Sequence, residues 1–254
     1  MAFKRLIALV PVQAGQVVMS YGYICHRPAG SLGTVLRNLD RWGIDEIAVI
    51  DISRGRDKPD FSILEQIRLS AVRTPVAFGG GIRSVRHAVA AVAQGCDRVI
   101  IESLIWQAPQ EIDRIAEAIG QQAVIGAVPL VYGSDGLTAA PVNSAAGEAW
   151  CDYLKRVEGL GISELMIIDR EHEGAAGSSK MAEQIPVTEM LHKLIWFGGL
   201  SVSQAAALLE RPDTVGVAFG NPFLINELAV NTHRNDINAK KSSLLLRKVR
   251  PYGG

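Results

Sequence analysis

Gly43-Ile44-Asp45-Glu46-Ile47-Ala48-Val49-Ile50-Asp51 recurs in the second half of the chain as Gly161-Ile162-Ser163-Glu164-Leu165-Met166-Ile167-Ile168-Asp169. Each copy runs from a glycine turn through a charged opening residue and an apolar run to a closing aspartate, the pattern of a buried parallel strand. The same offset carries Leu6-Ile7-Ala8-Leu9-Val10-Pro11-Val12 onto Val124-Ile125-Gly126-Ala127-Val128-Pro129-Leu130, with a proline where each strand is expected to stop. Phe78-Gly79-Gly80 returns as Phe197-Gly198-Gly199, one residue out of step. An open doubly wound sheet has no reason to repeat itself at half length. Two equal halves instead predict an α/β fold closed into one (βα)8 TIM barrel.

Outward from the repeat, short apolar runs alternate with amphipathic ones. Strands are expected at 6–12, 46–51, 75–78, 98–102, 123–128, 164–169, 193–197 and 214–219. A glycine-rich loop to Gly33 precedes a helical pattern ending near Trp42. Further helices are expected near 61–72, 84–94, 109–119, 145–159, 179–191, 202–209 and 222–230, with Ser84 as one N-cap and Asn221-Pro222 as another start signal. The reading is a single domain over 1–254, with half-barrels at about 1–120 and 121–231 and a basic tail over 232–254.

Lys+Arg 26 balances Asp+Glu 26, so no overall field recommends a nucleic acid or a membrane surface. Lys240-Lys241 and Arg247-Lys248-Val249-Arg250 form a local exception, read as a solvated end. With 48% hydrophobic residues the chain can bury a large core, yet no apolar run is long enough to span a bilayer. The short apolar stretch after Lys4-Arg5 lacks a signal-peptide cleavage pattern. Cys25, Cys96 and Cys151 show no C-x-x-C spacing, which predicts a reduced, cytoplasmic protein with no zinc site; no other metal and no cofactor are expected.

In such a barrel, function sits at the C-terminal ends of the strands, where glycine turns let backbone N–H groups approach an anion. Gly80 and Gly81 with Ser103, and Gly198 and Gly199 with Gly220 and Asn221, are therefore the expected phosphate-binding residues in the two halves. Glu102 is a repulsive neighbour for the first set. Asp51 and Asp169 close equivalent strands and are the candidate acid–base or hydroxyl-orienting carboxylates, with capping of the next turn as their alternative. Cys25, His26, Arg54, Arg170 and His172 fall on the same face. Arg5, Glu46, Arg98 and Glu164 open strands at the opposite mouth and are expected to form an ion-pair ring.

Lys4-Arg5-Leu6-Ile7, Gly43 to Glu46 with Asp51-Ile52, Gly79 to Val85, Gly95 to Val99, Asp169-Arg170 and Phe197-Gly198-Gly199 resemble the imidazole glycerol phosphate synthase cyclase subunit and its sister isomerase of histidine biosynthesis. That resemblance implies a ribulose-phosphate-binding type of barrel. It also implies that Arg5, Glu46, Arg98 and Glu164 gate the entry of ammonia from a glutaminase docked on the N-terminal face, beside Asp97. The cyclase's catalytic aspartates would stand at Pro11 and Pro129, and proline offers neither acid nor base. The chain also resembles cyclase-like barrels of bacterial surface-polysaccharide pathways, which pass ammonia to a nucleotide-sugar acceptor. The leading expectation is such a synthase barrel acting on a phosphorylated or nucleotide-sugar acceptor. The alternatives are the histidine-pathway cyclase using Asp51 and Asp169, and a non-catalytic barrel that binds a phosphorylated metabolite.

Overall fold

The structure is a computed structural model that describes residues 4–53, 55, 57–133, 136–141, 147–185, 192–240 and 246. Its barrel strands are β1 (Arg5–Gln13), β4 (Glu46–Asp51), β5 (Val76–Gly79), β6 (Arg98–Ile101), β7 (Val124–Gly133), β10 (Glu164–Asp169), β11 (Lys193–Phe197) and β12 (Thr214–Phe219). They pair in parallel in that order, and β12 pairs with β1 to close the ring. The eight-stranded barrel expected from the repeat is therefore the fold.

Two antiparallel additions ride on it. The hairpin β2 (Gln16–Tyr21) and β3 (Cys25–Ser31) follows β1, and β8 (Gly136–Ala139) and β9 (Glu148–Ala149) follow β7. The first lies where the sequence suggested only a glycine-rich loop. Pro28 and Gly30 made it read that way, but β3 pairs with β2 alone, and an edge strand tolerates proline.

The helices are α1 (Leu32–Arg41), α2 (Phe61–Ser70), α3 (Val85–Ala93), α4 (Ser103–Gln107), α5 (Gln110–Ile119), α6 (Trp150–Val157), α7 (Met181–Gln184), α8 (Val202–Glu210), α9 (Asn221–Ile225) and α10 (Glu227–Ala239). In α1, Leu32, Val35, Leu36 and Leu39 are buried, the i, i+3, i+4, i+7 spacing of one helical face. Ser84 accepts a hydrogen bond from the His87 N–H and so caps α3 as expected. Several features differ from the expectation: α4 was not expected, and the single helix expected at 222–230 is broken at Asn226, whose side chain caps α10. α6 begins at Trp150, α7 is a single turn within the expected 179–191 helix (186–191 lie outside the described residues), and α10 runs on past Val230 into the supposed tail. The last difference has a clear cause: Arg234 on α10 is buried and donates to Asp45 Oδ2 at 2.9 Å and Gly43 O at 2.8 Å. The basic residues Lys241, Arg247, Lys248 and Arg250 lie outside the described residues.

Neither repeat proline stops its strand. β1 continues to Gln13 and β7 to Gly133. Val12 O accepts from Ile52 N, so the groups of Val12 face β4 and those of Pro11 face the β12 side. The β1–β12 ladder ends at Ala8↔Phe219, so no neighbouring carbonyl loses a donor. Pro129 likewise pairs in register with Ile168 while its carbonyl turns away to accept from Ala140 N.

Alternation along the strands sorts the core in two. One buried set fills the space between sheet and helices. The other, including Ile7, Leu9, Ala48, Ala77, Ile100, Ile125, Met166 and Ile195, packs the lumen.

Candidate functional site

The lumen-facing register also places the opening charges. Arg5 precedes Ile7 by two residues, Glu46 precedes Ala48, Arg98 precedes Ile100 and Glu164 precedes Met166, so all four point inward at the bottom of the barrel. Arg5 lies 2.9 Å from Glu46 and 2.6 Å from Glu164, and Arg98 lies 3.4 Å from Glu46 and 2.7 Å from Glu164. Charges alternate around a closed ring. Arg98 is further held by Ser163 Oγ and Gln122 O, each at 3.1 Å. Burial, with Glu164 nearby, lifts the Glu46 carboxyl above the usual range despite both arginines. Burial opposes the charge on Arg5, but Glu46 and Glu164 outweigh it and raise its pKa. Asp97 is exposed on this face, and its Oδ2 accepts from Val76 N at 2.8 Å.

The opposite mouth holds a cavity of about 790 Å³. Its floor is apolar (Leu9, Ile50, Ile100, Ala127, Pro129, Met166, Ile168), and its rim carries Asp51, Asp57, Glu102, Ser53, Ser103, Gln13, His26 and Arg83 beside Gly80 and Gly81. This is the size of a small-molecule site, with polar groups converging over an apolar base. Pro129 thus lines the cavity as sheer surface, and Pro11 is buried two residues beyond Leu9 on the same face of its strand. Arg54 lies outside the described residues.

Asp51 and Asp169 are equivalent in position and different in surroundings. Asp51 lines the cavity, and its Oδ1 accepts from Ser53 N at 3.0 Å, closing the turn after β4. Asp169 is fully buried and does not line it. It accepts from Tyr132 Oη at 2.7 Å, Ser179 Oγ at 2.8 Å and His172 N at 3.2 Å, and its Oδ1 lies 2.9 Å from His172 Nδ1. The two carboxylates expected to work together are therefore not brought together. Asp169 instead orders the loop after β10. Burial, then the bond to Asp169, raises the pKa of Tyr132.

The paired glycines have a steric reason that holds in both halves. A Cβ on Gly80 would stand 2.7 Å from Asp51 Cβ, and one on Gly198 would stand 2.4 Å from Asp169 O, with φ at +115° and +104°. Only glycine allows that approach and that backbone. Each glycine loop is thus fitted over the aspartate of the preceding strand.

As phosphate sites the two halves are unequal. Gly80, Gly81 and Ser103 line the large cavity, whereas Gly199, Gly220 and Asn221 line a separate hollow of about 210 Å³. Gly198 packs over Asp169 behind it. Asn221 does not cap α9, because that position belongs to Gly220. Its side chain pairs both ways with the Ser20 backbone, accepting from Ser20 N at 3.1 Å and donating to Ser20 O at 2.7 Å.

The sequence reading did not foresee the element that separates these spaces. Tyr23, at the tip of the β2–β3 hairpin with φ +56°, packs onto the lumen cluster. Glu173 holds it there: its Oε2 accepts from Ser20 Oγ at 3.0 Å and Tyr23 N at 3.2 Å, and its carbonyl accepts from Gly22 N at 2.9 Å. Burial raises the pKa of Tyr23 well above its usual value, with Glu173 and Glu102 adding to it. The available signal was Gly22 between two tyrosines, a turn residue after the β-prone run Val17-Val18-Met19. Among the described residues no His, Cys, Asp and Glu side chains group as a metal site, and no helix is long and apolar enough to cross a membrane.

The sequence profile of the histidine biosynthesis protein family matches residues 5–228. Imidazole glycerol phosphate synthase subunit HisF of Chlorobium phaeobacteroides is 32% identical over 178 residues, covering 68% of this chain and 70% of that protein. The protein of the same name from Alkaliphilus metalliredigens is 26% identical over 258 residues, covering 95% of this chain and all of the relative. A third, from Thermococcus gammatolerans, is 26% identical over 205 residues and 77% of each chain. With the barrel, its half-length repeat and this match spanning every barrel strand, the chain belongs to the histidine biosynthesis protein family.

Proposed function

We propose that this chain is the synthase barrel of a two-subunit, glutamine-dependent system of the imidazole glycerol phosphate synthase kind. A glutaminase docks on the N-terminal face, ammonia enters through the ring of Arg5, Glu46, Arg98 and Glu164, and it reacts with a phosphorylated acceptor in the cavity at the other mouth. The observation that carries this reading is the closed ring itself, with four inward charges at 2.6–3.4 Å. Desolvating four charges is costly, and apolar residues of similar volume are often at least as stabilising. A ring kept across the lumen is better explained by selective passage than by stability. The names of the relatives make imidazole glycerol phosphate formation the first reaction to assay.

A second reading, amination of a nucleotide-sugar acceptor, is favoured by one feature: Pro11 and Pro129 stand where the resemblance implies the cyclase acid and base. Each such group contributes about 10²–10⁴-fold. Under the cyclase reading Asp51, Asp57 and Glu102, which line the cavity, are the available carboxylates. Product formation from the cyclase substrate and ammonium salt decides between the two. Turnover abolished by Asp51→Asn supports the cyclase, and no product at any ammonium concentration rejects it.

A further inference from the structure

We propose that the large cavity selects an acceptor whose inner end, the end nearest the ammonia path, is an uncharged aryl or alkyl group without hydroxyls, while its hydroxylated part stays at the rim. The inference deepens the reading above and rests on its placing of the acceptor in this cavity. Depth sorts the lining. Leu9, Ile100, Ala127, Met166 and Ile168 lie inside strands and belong to the apolar set that packs the lumen, and Pro129 joins them two residues beyond Ala127. The carboxylates and hydroxyls of the lining stand at the strand ends or beyond them: Asp51 is the last residue of β4, Ser53 and Asp57 follow it, and Glu102 and Ser103 follow β6.

The backbone offers the inner half no more than the side chains do. Leu9, Ile100, Ala127 and Met166 all stand in register pairs of the parallel ladders, so the N–H and C=O groups at that depth are taken up by neighbouring strands. A ligand hydroxyl lowered there leaves water and meets no polar side chain among the described residues of the floor. Each hydroxyl buried in that way lowers affinity roughly tenfold. A charged group, a phosphate included, is kept out more strongly still. An aryl or alkyl group loses nothing on the same surface, and the thioether of Met166 packs well against a ring edge. The rim has the opposite preference. Asp51, Asp57 and Glu102 are carboxylates with several acceptor positions each, and Gln13 and Ser103 both donate and accept, so hydroxyls find partners there. The ligand class that fits is therefore a polyol joined to an apolar ring or branched alkyl group, bound with the apolar end down.

The test uses the whole protein with ¹³C-labelled Ile, Leu and Met methyl groups, titrated with phenyl β-D-glucoside, methyl β-D-glucoside and cellobiose. The first joins a sugar to an aryl group, the second lacks the aryl group, and the third replaces it with another hydroxylated ring. Phenyl glucoside should shift the Leu9, Ile100 and Met166 methyl signals and bind at least about tenfold tighter than either of the others. Filling the floor with Ala127→Leu should remove that preference, and the methyl shifts of the unaltered protein carry the assignment should the variant not fold. Equal binding of the two glucosides, tighter binding of cellobiose, or shifts confined to Ile52 and Ile82 beyond the strand ends would overturn the proposal. Absence of binding by all three overturns it as well, and leaves the amination reading to product formation and glutaminase coupling, which are measured separately. If the predicted order holds in a barrel that neither couples nor forms product, the selectivity of the floor stands and the amination assigned to it falls.

Discussion

Arg98 and Glu164 meet at 2.7 Å across the bottom of the lumen, joining the first half-barrel to the second. Glu164 is shared with Arg5 at 2.6 Å, so the ring is a single network and its members do not act as separate pairs. Glu46 is only 3% exposed, and Glu46→Ala would leave two guanidinium groups to share the one carboxylate of Glu164. Breaking a buried pair in this way costs about 3–5 kcal/mol, with the lower end expected because Arg5 is 26% exposed. Urea denaturation measures it. A loss below roughly 1 kcal/mol, the range of surface pairs, would mean that the ring is solvated.

The glycine loops make a comparative prediction. Gly198→Ala places a methyl against Asp169 O in a backbone region that alanine resists, whereas a Cβ on Gly220 meets nothing closer than 3.7 Å. Overpacking alone costs about 1–3 kcal/mol, so Gly198→Ala should be clearly less stable than Gly220→Ala by thermal or chemical denaturation. Equal stability would contradict the close approach.

Glu173 gives a pH dependence. Burial raises its carboxyl pKa, although Ser20 and Tyr23 pull the other way. A carboxyl raised in the folded state holds its proton more tightly there than in the unfolded chain. Its contribution to stability is therefore fully present below the unfolded value of about 4.3 and is lost as pH rises through the folded value. Relative to Glu173→Gln, which keeps an acceptor without the charge, the unaltered protein should lose stability as pH rises from about 4 toward neutrality. A difference that is flat across that range, or that grows in favour of Glu173, contradicts the assignment.

The thiols should react unequally. Cys25 and Cys151 are exposed, whereas Cys96 is buried, and that burial, with Asp97 beside it, pushes its thiol up to about 12. At pH 8 only roughly one Cys96 in ten thousand would be thiolate, the reactive form. Ellman's reagent should titrate Cys25 and Cys151 quickly, and Cys96 only after denaturation.

The barrel was legible because parallel strands buried on both faces read as apolar runs. The Glu46–Asp51 and Glu164–Asp169 copies then fixed their equivalence. The ring was legible for a related reason: period-two alternation aims a charge two residues before an inward apolar residue into the same lumen. What could not be read was partnership across distance. Asp51 and Asp169 look alike in sequence, but Asp169 is surrounded by Tyr132 and Ser179 from elsewhere in the chain, and that burial removes it from the cavity. Asn221 looked like a helix cap because Pro222 follows it. It serves the hairpin instead, because Ser20, distant in sequence, presents a whole peptide unit to it. The hairpin itself was hidden by Pro28 and Gly30, which an edge strand accepts.

The most direct test of the central claim is glutamine hydrolysis by the glutaminase subunit of an imidazole glycerol phosphate synthase, measured with and without this barrel. The account predicts that the barrel binds and raises turnover. It also predicts that replacing the whole ring (Arg5→Met, Glu46→Leu, Arg98→Met and Glu164→Leu together) leaves a folded barrel that still binds but no longer receives the released ammonia. Absence of both binding and stimulation, or ammonia transfer unaltered in the ringless variant, would contradict it.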